Sequence, residues 1–224
     1  MSSTETPRAP QPIPRSLFFF ATLYGGMTVL AGVLGFKQVA LGPLAVEAGI
    51  FAFLMLVILS SSIAQSFGPA QANRIVLLGF FPLALSIGLI WLVLSLPPSA
   101  AMPAENLAAF ERVLGQTPRI MAAGPVAYGV SLLLNVYIFE RLRGAGKHAE
   151  GRGGSVWMMA RGAIASAISQ AIDSVIFITL AFYGEFPIGS LLAGQVLAKV
   201  VLSIVLVPPL IVAFVKLGRK LDGV

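Results

Sequence analysis

Six long stretches of this chain carry almost no charge, and those apolar runs constrain its fold more than any other feature. Ser16 to Phe36 is the cleanest, with 21 residues and no charged side chain. About 20 apolar residues in one helix cross the hydrocarbon of a bilayer, where each backbone N–H and C=O must find its partner inside the segment. The run is too long for a signal-peptide core and no cleavage site follows, so it is read as a retained first helix. The second run covers about Leu41–Ala64, with Glu47 near its start, and the third about Ile75–Leu96. The fourth covers about Ile120–Phe139, the fifth about Val156–Tyr183 with Arg161 and Asp173, and the sixth about Ile188–Phe214 with Lys199. Pro82, Pro125 and the pair Pro208–Pro209 should kink their helices, which membrane bundles tolerate.

The pattern predicts an all-α membrane protein, a bundle of six transmembrane helices, and argues against strands or a barrel. Composition agrees: 57% of the 224 residues are hydrophobic and 11% charged, against about a quarter charged in a soluble domain. Residues 1–15, polar and rich in proline, read as a disordered cytoplasmic tail; residues 16–215 form the helical domain, and 216–224 a short basic tail.

Lysine and arginine set the orientation. With both termini in the cytoplasm, Arg8, Arg15, Arg74, Arg141, Arg143, Lys147, Arg152, Lys216, Arg219 and Lys220 lie inside, ten in all, and only Lys37, Arg112 and Arg119 lie outside. This bias also accounts for the net charge of +6 without nucleic acid as a partner. Between Leu96 and Arg119, the helical spacing of Leu107, Ala108, Phe110 and Leu114 predicts a helix lying on the outer interface.

Several chemistries are excluded. There is no cysteine, and His148 is the one histidine, so thiolate and multi-histidine metal sites and a cysteine nucleophile fall away. The loop Gly144–Gly154 lacks a phosphate-binding pattern. No cofactor and no enzymatic activity are implied.

Charges near the bilayer centre are costly and usually face a partner or a cavity. Asp173 lies about 12 residues before the turn near Glu185–Phe186, and Lys199 about 13 after it. At ~1.5 Å per residue both sit roughly 18–20 Å from the turn, level with each other near the midplane. An ion pair is therefore expected, direct or bridged. It either locks two helices or serves a site; desolvating two charges is a poor route to stability, which favours the site. Gln195, Lys199 and Ser203 share one face of the sixth helix, and Gln170 shares a face with Asp173. Asn135 and Arg161 lie at matching distances from the loop near His148 and could meet at a shallower level, unless Arg161 snorkels to the inner interface. Glu47 and Arg119 belong near the outer face, where contact with water is one reading and a functional role the other. Ser60, Ser61 and Ser62 either bond the preceding turn of their helix or line a cavity. A weak repeat relates Ser131-x-x-x-Asn135 to Ser169-x-x-x-Asp173 at an offset of 38 residues. Transporters often place a site between such segments.

The segment from Arg119 through Gly124-Pro125 and Tyr128 to Asn135-Val-Tyr-Ile-Phe139, then Arg161, Ser169-Gln170-x-x-Asp173-Ser-x-Ile-Phe177, Lys199-x-x-x-Ser203 and Pro209, resembles the queuosine precursor transporter family, also called the vitamin uptake transporter (VUT) family. Phe67-Gly68 and Arg74 also fit. The likeness covers roughly residues 60–220. It departs at Ser61, where the family usually has an aspartate, and at Leu132-x-x-Asn135, where it usually has Gln-x-x-Asp. The resemblance implies a multi-pass protein of the cell inner membrane. It would import 7-cyano-7-deazaguanine (preQ0), its aminomethyl relative (preQ1) or a related purine-like compound. A substrate-binding membrane subunit of a larger uptake complex is the alternative, as is a paralogue with another small substrate. The implied partners are the deazaguanine and the lipid bilayer, with a homo-oligomer left open. A deazaguanine offers two adjacent donors that a carboxylate accepts together. Asp173 is thus the expected principal contact, with Gln170, Lys199, Asn135, Gln195, Ser203, Tyr128 and Arg161 around it, and Tyr128 or Trp157 available to stack on the ring.

Overall fold

Among the residues described by a computed structural model, the chain forms seven helices and one short hairpin. The structure describes residues 13–144 and 154–223, without side-chain detail around the connection between the fourth and fifth helices, a region that includes Asn135, Trp157 and Arg161. The first apolar run forms α1 (Arg15–Leu34). A two-stranded antiparallel hairpin follows, β1 (Gln38–Leu41) and β2 (Leu44–Glu47), with Leu41 opposite Leu44 and Gln38 opposite Glu47. Next come α2 (Gly49–Phe67), α3 (Pro69–Ser95) and α4 (Ala104–Gly144). The chain ends with α5 (Gly154–Phe182), α6 (Gly189–Val205) and α7 (Val207–Asp222).

The hairpin corrects the expectation of helix from Leu41 and the argument against strands. Its two-residue turn is Gly42-Pro43, and Gly42 takes φ +59°. That conformation opens the turns whose twist suits a hairpin, and glycine adopts it without strain. The apolar run therefore divides at residue 48, and the second helix starts eight residues later than its hydropathy suggests (residue 49 against 41).

Two further boundaries move. The helix expected on the outer interface and the fourth helix are one continuous element, because α4 runs 41 residues through Pro118 and Pro125. The sixth run breaks at Leu206 into α6 and α7, which meet at 50°. Pro208 and Pro209 fall in the first turn of α7, where a missing N–H costs nothing, so the kink expected there becomes a clean restart.

Among the described residues, α1, α2 and α3 are long and apolar enough to cross a membrane, and α6 with α7 makes a bent fourth. The chain is a multi-pass membrane protein. Its outer surface fits that solvent: Leu77, Phe81 and Trp91 of α3 are more than 60% exposed, an apolar face that water would not tolerate on this scale. Three buried clusters hold the bundle. Phe20 and Tyr24 pack on Leu59, Ile63, Ala72 and Val76, joining α1, α2 and α3. Val46 of β2 packs on Ile50, Leu54 and Ile58 of α2, with Ala198 and Val207. Ile120 and Ala123 of α4 meet Ile178, Ala181 and Phe182 of α5, and Leu191. The start of α1 and the end of α7 also meet: Asp222 accepts hydrogen bonds from the Ser16 backbone N–H (2.9 Å) and hydroxyl (2.5 Å). Those bonds satisfy donors in the first turn of α1 that the helix itself cannot. The residues set apart in sequence as a basic tail continue α7 as helix to Asp222.

Candidate functional site

Residues four apart on a helix share a face, and on α6 this brings Gln195, Lys199 and Ser203 into one polar line with a partner opposite each. The Ser203 hydroxyl donates to Gln170 Oε1 of α5 at 3.1 Å. Lys199 Nζ donates to Asp173 Oδ2 of α5 at 2.7 Å, an ion pair almost wholly shielded from solvent. Gln195 Nε2 donates to Glu47 Oε1 at 2.7 Å, and the Glu47 backbone N–H donates to Gln195 Oε1 at 3.1 Å. The hairpin level deduced for Asp173 and Lys199 is therefore right, and their contact is direct.

The third rung depends on backbone fit. β2 lies so close to α6 that a side chain at Gly194 would collide with the Ala45 carbonyl. Glycine there lets the hairpin reach the helix and sets Glu47 against Gln195.

The ion pair faces a cavity of about 150 Å³ at the centre of the bundle. Its wall draws on every helix but α7: Tyr24 and Thr28 from α1, Phe53 and Ser60 from α2, Phe80 from α3, Met121 and Tyr128 from α4, Asp173 and Phe177 from α5, and Lys199 from α6. Glu47 of β2 completes it. An apolar cavity of that size accepts a benzene-sized ring, so a bicyclic base needs a modest adjustment of the walls. The Phe53 ring lies 4.2 Å from Lys199 Nζ, a cation–π contact. Tyr128 stands edge-on to Phe80, centroids 6.2 Å apart. Among the described residues, the one contact of Asp173 Oδ1 is long, 3.4 Å, with the Ser131 hydroxyl, so this oxygen keeps capacity to accept. That contact also joins the two copies of the weak repeat. The site thus offers mostly apolar and aromatic walls with two carboxyl groups, Asp173 and Glu47, and one ammonium, suited to a flat heterocycle with polar edges.

Of the residues singled out in sequence, Glu47, Ser60, Tyr128, Asp173 and Lys199 line this cavity. Gln170 and Ser203 bond each other one turn away, and Gln195 is fully buried against Glu47. Asn135 and Arg161 lie outside the residues whose side chains are described, as does Trp157. Ser60 and Ser62 bond the carbonyls of Val57 and Ile58 in their own helix. Arg119 is 42% exposed along its side chain, as the water-contact reading has it, and it is tied down as well: its guanidinium donates to the carbonyls of Leu180 and Tyr183, each at 2.7 Å, and pairs with Glu185 at 3.3 Å. It closes the C-terminal end of α5, whose last carbonyls have no partner within the helix.

Glu47 is the correction of most consequence. It is 3% exposed, buried in the bundle rather than wetted at the outer face. Phe53 was also missed. The Gly42-Pro43 turn signal could have revealed Glu47, since a hairpin there folds the acid back onto the helices instead of leaving it at a helix end.

Comparison with known proteins bears on what such a site does. The profile of the family described as "putative vitamin uptake transporter" matches residues 47–213. A relative from Bacillus subtilis (strain 168), named "probable queuosine precursor transporter", is 27% identical over 163 residues, 73% of this chain and 68% of the relative. No solved structure matches.

Proposed function

We propose, from the premise that this chain belongs to the putative vitamin uptake transporter family, that it imports a queuosine precursor. Its substrate would be 7-cyano-7-deazaguanine, the aminomethyl form or a closely related purine-like base. The observation that carries the reading is the buried Asp173–Lys199 pair set in the wall of a largely apolar central cavity. A base of this kind presents an N1–H and an exocyclic amine side by side. Asp173 accepts from both, while Lys199 can turn to a carbonyl or ring nitrogen. Tyr128, Phe53 and Phe177 supply aromatic surface for the ring. Gln170 and Ser203 hold the next turn of α5 and α6 in register, and Gln195 fixes the hairpin. Asn135 and Arg161 remain candidate contacts in this reading.

The reading includes six crossings with both termini in the cytoplasm of a cell whose inner membrane holds the protein. The ten-to-three distribution of basic residues supports it. In this reading the protein moves its substrate unchanged, as membership of a transporter family supports. The test is the queuosine content of tRNA in a strain that can neither make the precursor nor import it otherwise. Supplying the gene should restore queuosine at low external precursor; no difference between strains with and without the gene would remove the function.

A further inference from the structure

We propose that Glu47 makes the site select the aminomethyl form of the base, whose side arm is a cation, over the uncharged cyano form, an inference that rests on the transport reading above. Glu47 lines the same cavity as the ion pair and is 3% exposed. Gln195 holds its Oε1 at 2.7 Å and its backbone N–H at 3.1 Å. Among the described residues, its buried Oε2 has no hydrogen-bond partner. The Gly49 N–H lies near the carboxylate but outside hydrogen-bond geometry for that oxygen.

Acceptors gather around Oε2. A side chain at Gly49 would collide with both Oε2 and the Ala31 carbonyl, so glycine leaves the two acceptors uncovered beside each other. Ala31, Glu47 and Gly49 all line the cavity. The Ala31 carbonyl accepts from the Gly35 N–H at 3.1 Å and has a second lone pair. Thr28, three residues earlier on the same face of α1, lines the cavity too. Its hydroxyl donates to the Tyr24 carbonyl at 2.8 Å, so its oxygen can accept.

The charges of the wall point the same way. Among the described residues that line it, Glu47 and Asp173 are the acids and Lys199 the base. The Lys199 ammonium sits on Asp173 at 2.7 Å, and the phenols of Tyr24 and Tyr128 are uncharged at neutral pH. One more cation makes the wall neutral. A buried charge without a partner is costly, so a ligand that brings the missing positive charge gains what a neutral ligand cannot.

The aminomethyl arm supplies that charge. Its primary amine is an ammonium at neutral pH, like that of lysine, with three N–H donors. Gln195 and Lys199 hold Glu47 and Asp173 one helical turn apart, about 6 Å along α6. In the base, the arm lies across the ring system from the N1–H and amine that Asp173 accepts. Oε2, the Ala31 carbonyl and the Thr28 hydroxyl match the three donors in number. A cyano arm ends in an acceptor nitrogen and meets acceptors there.

The test is calorimetric titration of the purified full chain at neutral pH with three 7-deazaguanines that differ only at position 7: aminomethyl, hydroxymethyl and cyano. The hydroxymethyl arm has nearly the size of the aminomethyl arm and no charge. The aminomethyl base should bind about tenfold to hundredfold tighter than either neutral one, the worth of a hydrogen-bonded charge in a dry site. Equal affinities, or tighter binding of the cyano base, would mean that Glu47 keeps a proton of its own in the complex, and would overturn the selection while leaving transport standing. Because Glu47 lines the cavity, its variants are judged by the ratio of aminomethyl to hydroxymethyl affinity, in which general damage to the site cancels. In Glu47→Gln, or in Glu47→Leu should the first not fold, the preference should vanish; a preference kept at the wild-type ratio would take the role from Glu47. No binding of any of the three bases to wild type would overturn the transport reading and the selection with it.

Discussion

Breaking the ion pair from one side should damage the protein differently from removing it whole, and the contrast shows what the pair is for. Asp173 and Lys199 are 5% and 3% exposed and in contact at 2.7 Å. Asp173→Asn keeps the shape and strands a buried ammonium, which costs about 3–5 kcal/mol. The Phe53 ring cannot make this good, because its contact with Nζ exists in the wild type already. In a chain of this size about 1 kcal/mol moves the melting temperature by roughly 2–4 °C, so the single variant should melt about 6–20 °C lower. Asp173→Asn with Lys199→Gln removes both charges and should recover most of that loss, since a buried pair adds little net stability. Affinity should not recover. The amide has one acceptor oxygen where the carboxylate has two, and leaving a substrate donor unpaired in a dry site costs about 1–3 kcal/mol, roughly a tenfold to hundredfold weaker affinity. Melting curves in detergent with uptake per unit of protein in the membrane separate the two effects. A double variant that is stable and transports like wild type would refute the reasoning and make the pair a lock between α5 and α6.

Three other outcomes are expected. A fluorescent protein fused after Val224 should glow and a periplasm-dependent phosphatase fused there should stay silent; the reverse would overturn the orientation. Gly194→Val should drive the hairpin off α6 because the Ala45 carbonyl occupies that space, at a cost of about 1–3 kcal/mol, and a melting temperature equal to wild type would contradict the fit. The Ser16 hydroxyl and backbone N–H hold the Asp222 carboxyl below its usual range. Its contribution is therefore present above the ordinary carboxylate value and is lost as pH falls through the lowered one. Asp222→Asn should speed hydrogen exchange in the first turn of α1 at neutral pH, and the wild type should match it only on acidification; equal rates at neutral pH would remove the tether.

Long uncharged runs reveal buried helices because a bilayer demands the same thing along the whole segment, and this is why α1, α3 and the bent α6–α7 pair were legible. Asp173 and Lys199 were legible for a geometric reason: two residues at equal distances from one hairpin turn must lie level, whatever packs around them. Hydropathy is blind to backbone direction. The run from Leu41 is as apolar as a helix should be, and only the Gly42-Pro43 turn betrays the reversal that makes a hairpin of its first residues. Missing that reversal displaced Glu47, since its neighbours depend on Gly194 allowing β2 to touch α6. The anchoring of Arg119 went unforeseen for a related reason. Its partners are the backbone carbonyls of Leu180 and Tyr183, which no side-chain pattern announces. α4 was divided in sequence by its polar first part, yet a helix needs no uniform hydropathy to continue.

The central claim is that the cavity holding Asp173 and Lys199 receives a deazaguanine. Calorimetric titration of the purified wild-type protein with 7-cyano-7-deazaguanine tests it most directly. The account predicts saturable binding at one site per chain, weakened at least tenfold when Asp173 and Lys199 are both neutralised in a protein that remains folded. No binding to the wild type, or equal affinity in the neutralised variant, would contradict it.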